Sequence, residues 1–180
     1  FTFPTVKALR QALSDELSTH LYSRGNNPTV ELVEQRIAAL EGGERAKLFS
    51  AGVAAIASSI LSCVGQGDHI VCSTDAYTWA KYISNIYLKR FGVTTTFVDA
   101  TNIEEVERAI QPNTKVLYLE SPGTLYLRVQ DLPSLAKLAK SHGITTIVDN
   151  TWATPLYQNP LAMGIDLVVH SASKYLGGHS

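Results

Sequence analysis

Apolar residues fall in short blocks separated by polar turns, and the spacing inside the blocks alternates between two kinds. Ile144 to Asp149 and Ile165 to His170 are nearly continuous apolar runs, the pattern of strands covered on both faces. His69 to Ser73, the β-branched Thr94 to Asp99, and Lys115 to Glu120 predict three more strands, and the short run Ala46 to Ser50 predicts one ahead of them all. Between these runs the spacing becomes helical. A small-residue helix is predicted from Ala51-Gly52 to about Val64, and another over Tyr77 to Phe91, with apolar positions at Tyr77, Ile83, Ile86 and Tyr87. Asn102, followed three residues later by Glu105, makes a capping-box start for a helix to about Ile110. Asp131-Leu132-Pro133 opens a further helix that His142-Gly143 closes, glycine tolerating the left-handed backbone of a C-terminal cap. Upstream, Asn27-Pro28 opens a helix with Val30, Val33, Ile37 and Leu40, ended by Gly42-Gly43.

Strands alternating with helices of this length require crossover connections. The fold class is therefore α/β, a three-layer αβα arrangement around a mostly parallel sheet. There is no internal repeat and no low-complexity linker.

Composition narrows the picture. The 180 residues are 45% hydrophobic and 17% charged, enough apolar matter to form a core without a metal or disulfide, and too much for disorder. With 15 basic against 16 acidic side chains the net charge is −1, which argues against a nucleic-acid or anionic-membrane partner. Cys63 and Cys72 sit in apolar surroundings with no Cys-x-x-Cys spacing and no histidine at ligand distance, so they are expected as reduced core residues and no metal site is predicted. Leu48 to Gly67 holds no charge and is long enough to span a bilayer, but its four serines, three glycines and four alanines keep its hydropathy low. It reads as a buried strand, turn and helix. Phe1 is preceded by no methionine and followed by no signal pattern, which reads as a cut or processed start. The expected location is cytoplasmic.

In an open α/β sheet, ligands bind beyond the carboxyl ends of the strands, so the polar residues after each apolar run matter most. Ser50-Ala51-Gly52-Val53 leads a glycine turn into an uncharged helix, whose free N–H groups and dipole suit an anion such as phosphate. Such a glycine can also be no more than a turn. Gly65-Gln66-Gly67 precedes a strand and fails the dinucleotide fingerprint. Asp149-Asn150-Thr151 follows one late strand and His170-Ser171-Ala172-Ser173-Lys174 the next. An acid and a lysine at two strand ends can face a common ligand roughly 5–10 Å across, the size of a small aromatic cofactor, if the strands are neighbours or next-but-one. Lysine can form a Schiff base with an aldehyde, and a carboxylate can keep a pyridine nitrogen protonated. The alternative is that Asp149 and Lys174 form a strand-end salt bridge while Ser171 and Ser173 cap a turn. His170 and His179 read as supporting polar residues.

The order of short motifs carries more. Tyr22-Ser23-Arg24, Asn27-Pro28-Thr29, Leu40-Glu41-Gly42-Gly43, Ser50-Ala51-Gly52, Asp75-Ala76-Tyr77, Glu120-Ser121-Pro122, Val148-Asp149-Asn150-Thr151 and His170-Ser171-Ala172-Ser173-Lys174-Tyr175 follow one another across nearly the whole chain. In this order the sequence resembles the Cys/Met-metabolism (trans-sulfuration) family of pyridoxal-phosphate-dependent enzymes, which includes cystathionine β- and γ-lyases, cystathionine γ-synthase, methionine γ-lyase and O-acetylhomoserine sulfhydrylase. The resemblance implies the fold type I (aspartate aminotransferase-like) architecture and pyridoxal 5'-phosphate as cofactor. It implies that Lys174 bonds the cofactor aldehyde and shuttles the substrate α-proton, that Asp149 pairs with the ring nitrogen, and that Tyr77 stacks on the ring and assists proton transfer. Gly52 and Val53 would give N–H groups to the phosphate, Ser171 and Ser173 hydroxyls, and Thr151 would line the cofactor. Tyr22 and Arg24 would reach the phosphate of a neighbouring subunit, implying a dimer and usually a homotetramer.

Within the family the signals divide. Gly123-Thr124-Leu125 after Glu-Ser-Pro, and Trp152, look like β-lyases, whereas Asn27-Pro28-Thr29 and Ala153-Thr154-Pro155 look like γ-acting members. Ser173 stands where threonine is more usual and keeps the hydroxyl. The expected activity is β-elimination from cystathionine or a related sulfur amino acid. The alternatives are a γ-acting member, a non-catalytic phosphate-binding module, or an inactive fragment. Residues 1–24 are expected to form an arm against a neighbouring subunit and residues 25–180 a cofactor-binding large domain. The family continues past Gly178-His179-Ser180 into further strands and a C-terminal domain that holds the arginine for the substrate carboxylate, so the large domain is expected to be incomplete.

Overall fold

A computed structural model describes residues 1–16 and 18–179, which divide into two units, 1–48 and 49–180. The first holds α1 (Val6–Ser14), capped by the Thr5 hydroxyl, and α2 (Pro28–Glu41). The Asn27 side chain accepts the N–H groups of Thr29 and Val30, both at 3.0 Å, and Gly42 ends α2 at φ 71°. The apolar positions on α2 are not its buried side. Val30, Val33 and Leu40 are exposed, while Glu34, Ala38 and Glu41 are buried. Burial of Glu34 is tolerated because its carboxylate accepts the Leu48 N–H and the Lys47 ammonium.

The second unit is a five-stranded, wholly parallel sheet in the order β2-β1-β3-β4-β5. Its elements in chain order are α3 (Gly52–Leu61), β1 (His69–Ser73), α4 (Thr78–Tyr82), β2 (Thr94–Val98), α5 (Ile103–Ala109), β3 (Thr114–Glu120), α6 (Leu132–Ser141), β4 (Thr145–Asp149), α7 (Thr154–Tyr157) and β5 (Leu167–Val169). Alternation along the strands separates two cores. Ile70, Cys72, Val116, Tyr118, Ile147 and Val169 face α3 and α4, and Val71, Leu117, Leu119 and Val148 face α5 and α6. Helices on both faces complete the three-layer αβα architecture.

Three expectations need correction. Ala46–Ser50 forms no strand: among the described residues it has no ladder partner, and an unpaired extended segment exposing Leu48 and Phe49 gains nothing from strand geometry. The helix expected over Tyr77–Phe91 is three pieces, α4 followed by a π turn (Ile83–Tyr87) and a 3₁₀ turn (Leu88–Phe91). Here the Ser84 hydroxyl donates back to the Ala80 carbonyl, and the Ser84 carbonyl is taken by the Thr95 hydroxyl, both of which disturb the regular ladder. At the start of α5, Asn102 caps the Glu104 and Glu105 N–H groups as expected, but Glu105 reaches back to the Asp99 N–H instead of completing the box. Among the described residues no helix is long and apolar enough to cross a membrane.

Candidate active site

The chain makes β1, moves outward to β2, and returns to the other side of β1 for β3. The polar residues that follow β1, β2, β3, β4 and β5 therefore converge at one edge of the sheet, on either side of the point where the strand order reverses. Asp149 ends β4 and is nearly buried, 7% exposed. Its Oδ1 accepts the Thr151 N–H at 2.9 Å, and Oδ2 has no protein partner among the described residues. Thr151 Oγ1 in turn accepts the Ser171 N–H at 2.8 Å, so the loops after β4 and β5 are tied together.

Ser171 packs against the start of α3. A Cβ placed on Gly52 would lie 2.8 Å from the Ser171 Cβ, closer than real side chains approach. The helix begins without a side-chain cap, and no protein group among the described residues accepts the N–H groups of Gly52 or Val53. The Ser171 and Ser173 hydroxyls stand 3.4 Å apart beside it. Two donor N–H groups at a helix start, two hydroxyls and a glycine that keeps the gap open form an anion cradle.

Lys174 follows on a tight turn, its N–H donating to the Ser171 carbonyl at 3.0 Å and its carbonyl accepting the Gly178 N–H at 2.7 Å. The side chain is exposed, and Nζ lies 5.3 Å from the centroid of the Tyr77 ring. No ion pair joins Lys174 to Asp149 among the described residues, so the salt-bridge alternative is not formed. The structure thus brings together Gly52, Ser171, Ser173, Thr151 and Asp149 on one side and Lys174 with Tyr77 on another. Val53 stands in the first turn of α3. Tyr22 and Arg24 belong to the first unit, where the Arg24 guanidinium lies 5.1 Å from the centroid of the Tyr22 ring. The described residues include no cluster of three or more His, Cys, Asp or Glu placed to hold a metal ion. Cys63 and Cys72 are both free thiols, and burial pushes the Cys72 thiol up to about 12, which removes it as a nucleophile.

Sequence reasoning passed over one acid. Glu120 ends β3 directly opposite Asp149 in the sheet register, and its carboxylate accepts the Tyr77 N–H at 2.6 Å and the Thr124 hydroxyl. Burial and the neighbouring Asp149 push its carboxyl up to about 7, against the pull of Thr124, the Tyr77 N–H and Lys174. The strand-end rule that selected Asp149 selects Glu120 equally. Behind it, Arg128 clamps Asp75 through Nε and Nη2 at 2.7 and 2.8 Å and Asp99 through Nη1 at 2.6 Å. A Cβ on Gly123 would come 2.6 Å from that of Asp75, so only glycine lets the loop after β3 close on the loop after β1.

The raised Glu120 carboxyl gives a testable pH dependence. Below about 4.5, its ordinary value, Glu120 is neutral folded or unfolded; between 4.5 and 7 the unfolded chain has released the proton that the fold retains. Stability contributed by Glu120 therefore falls as pH rises through that window, by at most about 3 kcal/mol, and levels off above it. Urea titrations of the intact, cofactor-free protein should show this slope between pH 5 and 7.5, and Glu120→Gln should flatten it. Parallel profiles for the two proteins would reject the assignment.

Against known proteins, the family model described as Cys/Met metabolism PLP-dependent enzyme matches residues 1–180. The chain is 45% identical over 170 residues to cystathionine beta-lyase MetC of Bacillus subtilis, covering 94% of this chain and 43% of that protein. It is 43% identical over 180 residues to L-methionine gamma-lyase of Fusobacterium nucleatum, covering 99% of this chain and 46% of that protein. Among solved structures, metB from Corynebacterium glutamicum superposes with a TM-score of 0.91 at 37% identity, covering 100% of this chain and 45% of that one. The metY structure from Campylobacter jejuni, which carries N'-pyridoxyl-lysine-5'-monophosphate, superposes with a TM-score of 0.91 at 30% identity, covering 99% of this chain and 44% of that one. The chain spans a little under half the length of these relatives. On this evidence it belongs to the Cys/Met-metabolism family of pyridoxal-phosphate-dependent enzymes.

Proposed function

We propose that the protein is a pyridoxal-phosphate-dependent carbon–sulfur lyase acting on cystathionine or a related sulfur amino acid by β-elimination, which yields a thiol, pyruvate and ammonia. The observation that carries the proposal is the grouping of a glycine-gated anion cradle, a buried acid with an open oxygen, and a lysine amine beside an aromatic ring. These residues fit the cofactor: the cradle at Gly52, Val53, Ser171 and Ser173 suits its phosphate, Asp149 Oδ2 suits its ring nitrogen, and Lys174 Nζ suits its aldehyde. Bound there, pyridoxal phosphate supplies an aldehyde and an electron-accepting ring.

The chain's own residues do the rest. Asp149 would hold the ring nitrogen through Oδ2, an acceptor in a nearly dry position that favours a proton there. Lys174 Nζ would hold the cofactor's aldehyde and would serve as the base that takes up and returns the substrate α-proton. Tyr77 places its ring beside that amine and supports the transfer, and Thr151 holds the Ser171 loop in reach of the phosphate. Tyr22 and Arg24 are assigned to the phosphate site of a neighbouring subunit within a cytoplasmic homotetramer.

The β reading is favoured by two sequence signals, Gly123-Thr124-Leu125 after Glu120-Ser121-Pro122, and Trp152. Asn27-Pro28-Thr29 and Ala153-Thr154-Pro155 support γ-elimination as the second reading. The intact protein supplied with cystathionine decides between them: pyruvate marks β-cleavage, and 2-oxobutyrate as the sole keto acid would reverse the assignment.

The cradle can be tested by itself. Gly52→Ala should weaken retention of pyridoxal phosphate by about tenfold or more, because the added methyl must displace Ser171, while leaving the unfolding midpoint of the cofactor-free protein within a few degrees. Equilibrium dialysis reads the first effect and calorimetry the second. Unchanged retention would remove Gly52 from the phosphate site.

A further inference from the structure

We propose that Glu120 is a positioning residue of this site, binding the main chain of Tyr77 and the Thr124 hydroxyl so that the ring beside Lys174 is held at a fixed height over the end of the sheet. The inference rests on the proposed cofactor site and adds to it a residue that touches neither cofactor nor substrate. Tyr77 is the first residue outside α4, and its N–H is one of the donors that a helix leaves unpaired at its start. Glu120 Oε2 accepts that N–H at 2.6 Å across 43 residues of chain. Its other oxygen takes the Thr124 hydroxyl, and Thr124 in turn donates its own N–H to the Asp75 carbonyl at 2.8 Å. A closed circuit results, running from the end of β3 to the loop after β3, to the loop after β1, and back through Tyr77 to Glu120. The Tyr77 main chain, which carries the ring whose centroid lies 5.3 Å from Lys174 Nζ, is anchored by this circuit.

The position of Glu120 is costly enough to need a reason. It sits buried, 9% exposed, opposite Asp149, where the neighbouring carboxylate disfavours its charged form. A leucine would fill the space at the end of β3 with less electrostatic cost. What a carboxyl adds is two acceptors at fixed separation, one for each loop. The loops retain other ties: the Arg128 clamp on Asp75 and Asp99, and the main-chain bonds from Gly123 to Arg128 and from Thr124 to Asp75. Loss of the Glu120 carboxyl therefore releases Tyr77 without dissolving the loops.

The test uses the intact enzyme loaded with pyridoxal phosphate, with visible-range circular dichroism as the principal readout, because that band reports how asymmetrically the ring is held whether or not turnover occurs. Wild type must first give a yellow species that borohydride fixes at Lys174; failure there rejects the cofactor site itself and not the role of Glu120. With that control met, Glu120→Ala should at least halve the visible dichroism and weaken cofactor retention by about tenfold, the effect of one orphaned buried donor. Glu120→Gln, which still accepts from Tyr77 and can donate to the Thr124 oxygen, should restore both to within about twofold. Wild-type dichroism and retention in Glu120→Ala overturn the proposal, as does a Gln variant as impaired as Ala. Should Glu120→Ala fail to fold, Thr124→Val decides in its place: a dichroism band reduced by at least a quarter supports the circuit, and an unchanged band overturns it.

Discussion

Replacing Lys174 with alanine is expected to abolish covalent capture of pyridoxal phosphate and to lower turnover of cystathionine by at least about 10³-fold, since on the proposed mechanism the one amine would do both the covalent and the proton-transfer work. The geometry makes the amine available for both. Nζ has no carboxylate within ion-pair distance among the described residues and lies beside the Tyr77 ring, so nothing in the fold engages it in a structural role. Its turn is set by main-chain bonds from Lys174 to Ser171 and from Gly178 to Lys174, and by the approach of Gly177 to the Ala172 carbonyl, where a Cβ would come within 2.6 Å of the oxygen. Truncating the side chain leaves those contacts intact, so the variant should fold and hold the cofactor noncovalently through the anion cradle. Borohydride treatment followed by peptide mass spectrometry should find the adduct on Lys174 in wild type and nowhere in the variant. Equal labelling of both proteins at another lysine, with turnover preserved, would remove Lys174 from the mechanism.

The strand pattern and the caps were legible because each is decided locally. His69–Ser73 alternates between two cores within five residues, and Asn27, Asn102 and Asp131 each accept the N–H groups of the turn that follows. Gly42 and Gly143 adopt the positive φ that their places at helix ends require. What depends on distant residues was not legible. Ala46–Ser50 has the composition of a strand but lacks a neighbour among the described residues, and composition cannot supply one. The break of the Tyr77–Phe91 helix into three pieces follows from Thr95, on β2, reaching the Ser84 carbonyl. Glu105 has the spacing of a capping box, yet the Asp99 N–H competes for it and wins.

The candidate site divides in the same way. The rule that ligands sit past the carboxyl ends of parallel strands pointed to Asp149, Thr151, Ser171 and Lys174, and all of them lie there. The need for glycine at position 52 is set by Ser171, 119 positions later, and so was invisible as anything more than a turn. Glu120 was hidden for another reason. It lies within a motif that served only to establish a resemblance, and its partner Tyr77 is bound through the main chain, which leaves no side-chain signature. Apolar runs report which face of an element is buried, whereas the bonds that hold the Tyr77 main chain join loops that no period connects.

Asp149→Asn is expected to lower kcat by about 10²-fold or more with little change in KM, because the charge that keeps a ring nitrogen protonated matters once negative charge moves into the ring, and not while substrate binds. The amide is the same size, can still accept the Thr151 N–H through its oxygen, and presents an uncharged group where Oδ2 now stands open. A hundredfold loss corresponds to about 2.7 kcal/mol of transition-state stabilisation, within the range for a charge-assisted hydrogen bond in a nearly dry position. A second consequence follows from the register. Asp149 is one of the two causes that raise the Glu120 carboxyl, so removing its charge should bring Glu120 down toward its ordinary range. In the cofactor-free protein the pH window over which stability declines should then narrow from its upper end, and this can be followed by the same urea titrations used for Glu120→Gln. The two readouts separate the roles: a kcat loss with an unmoved window would mean that Asp149 serves the cofactor without coupling to Glu120, and a moved window with wild-type kcat would mean that the ring nitrogen is held by another group.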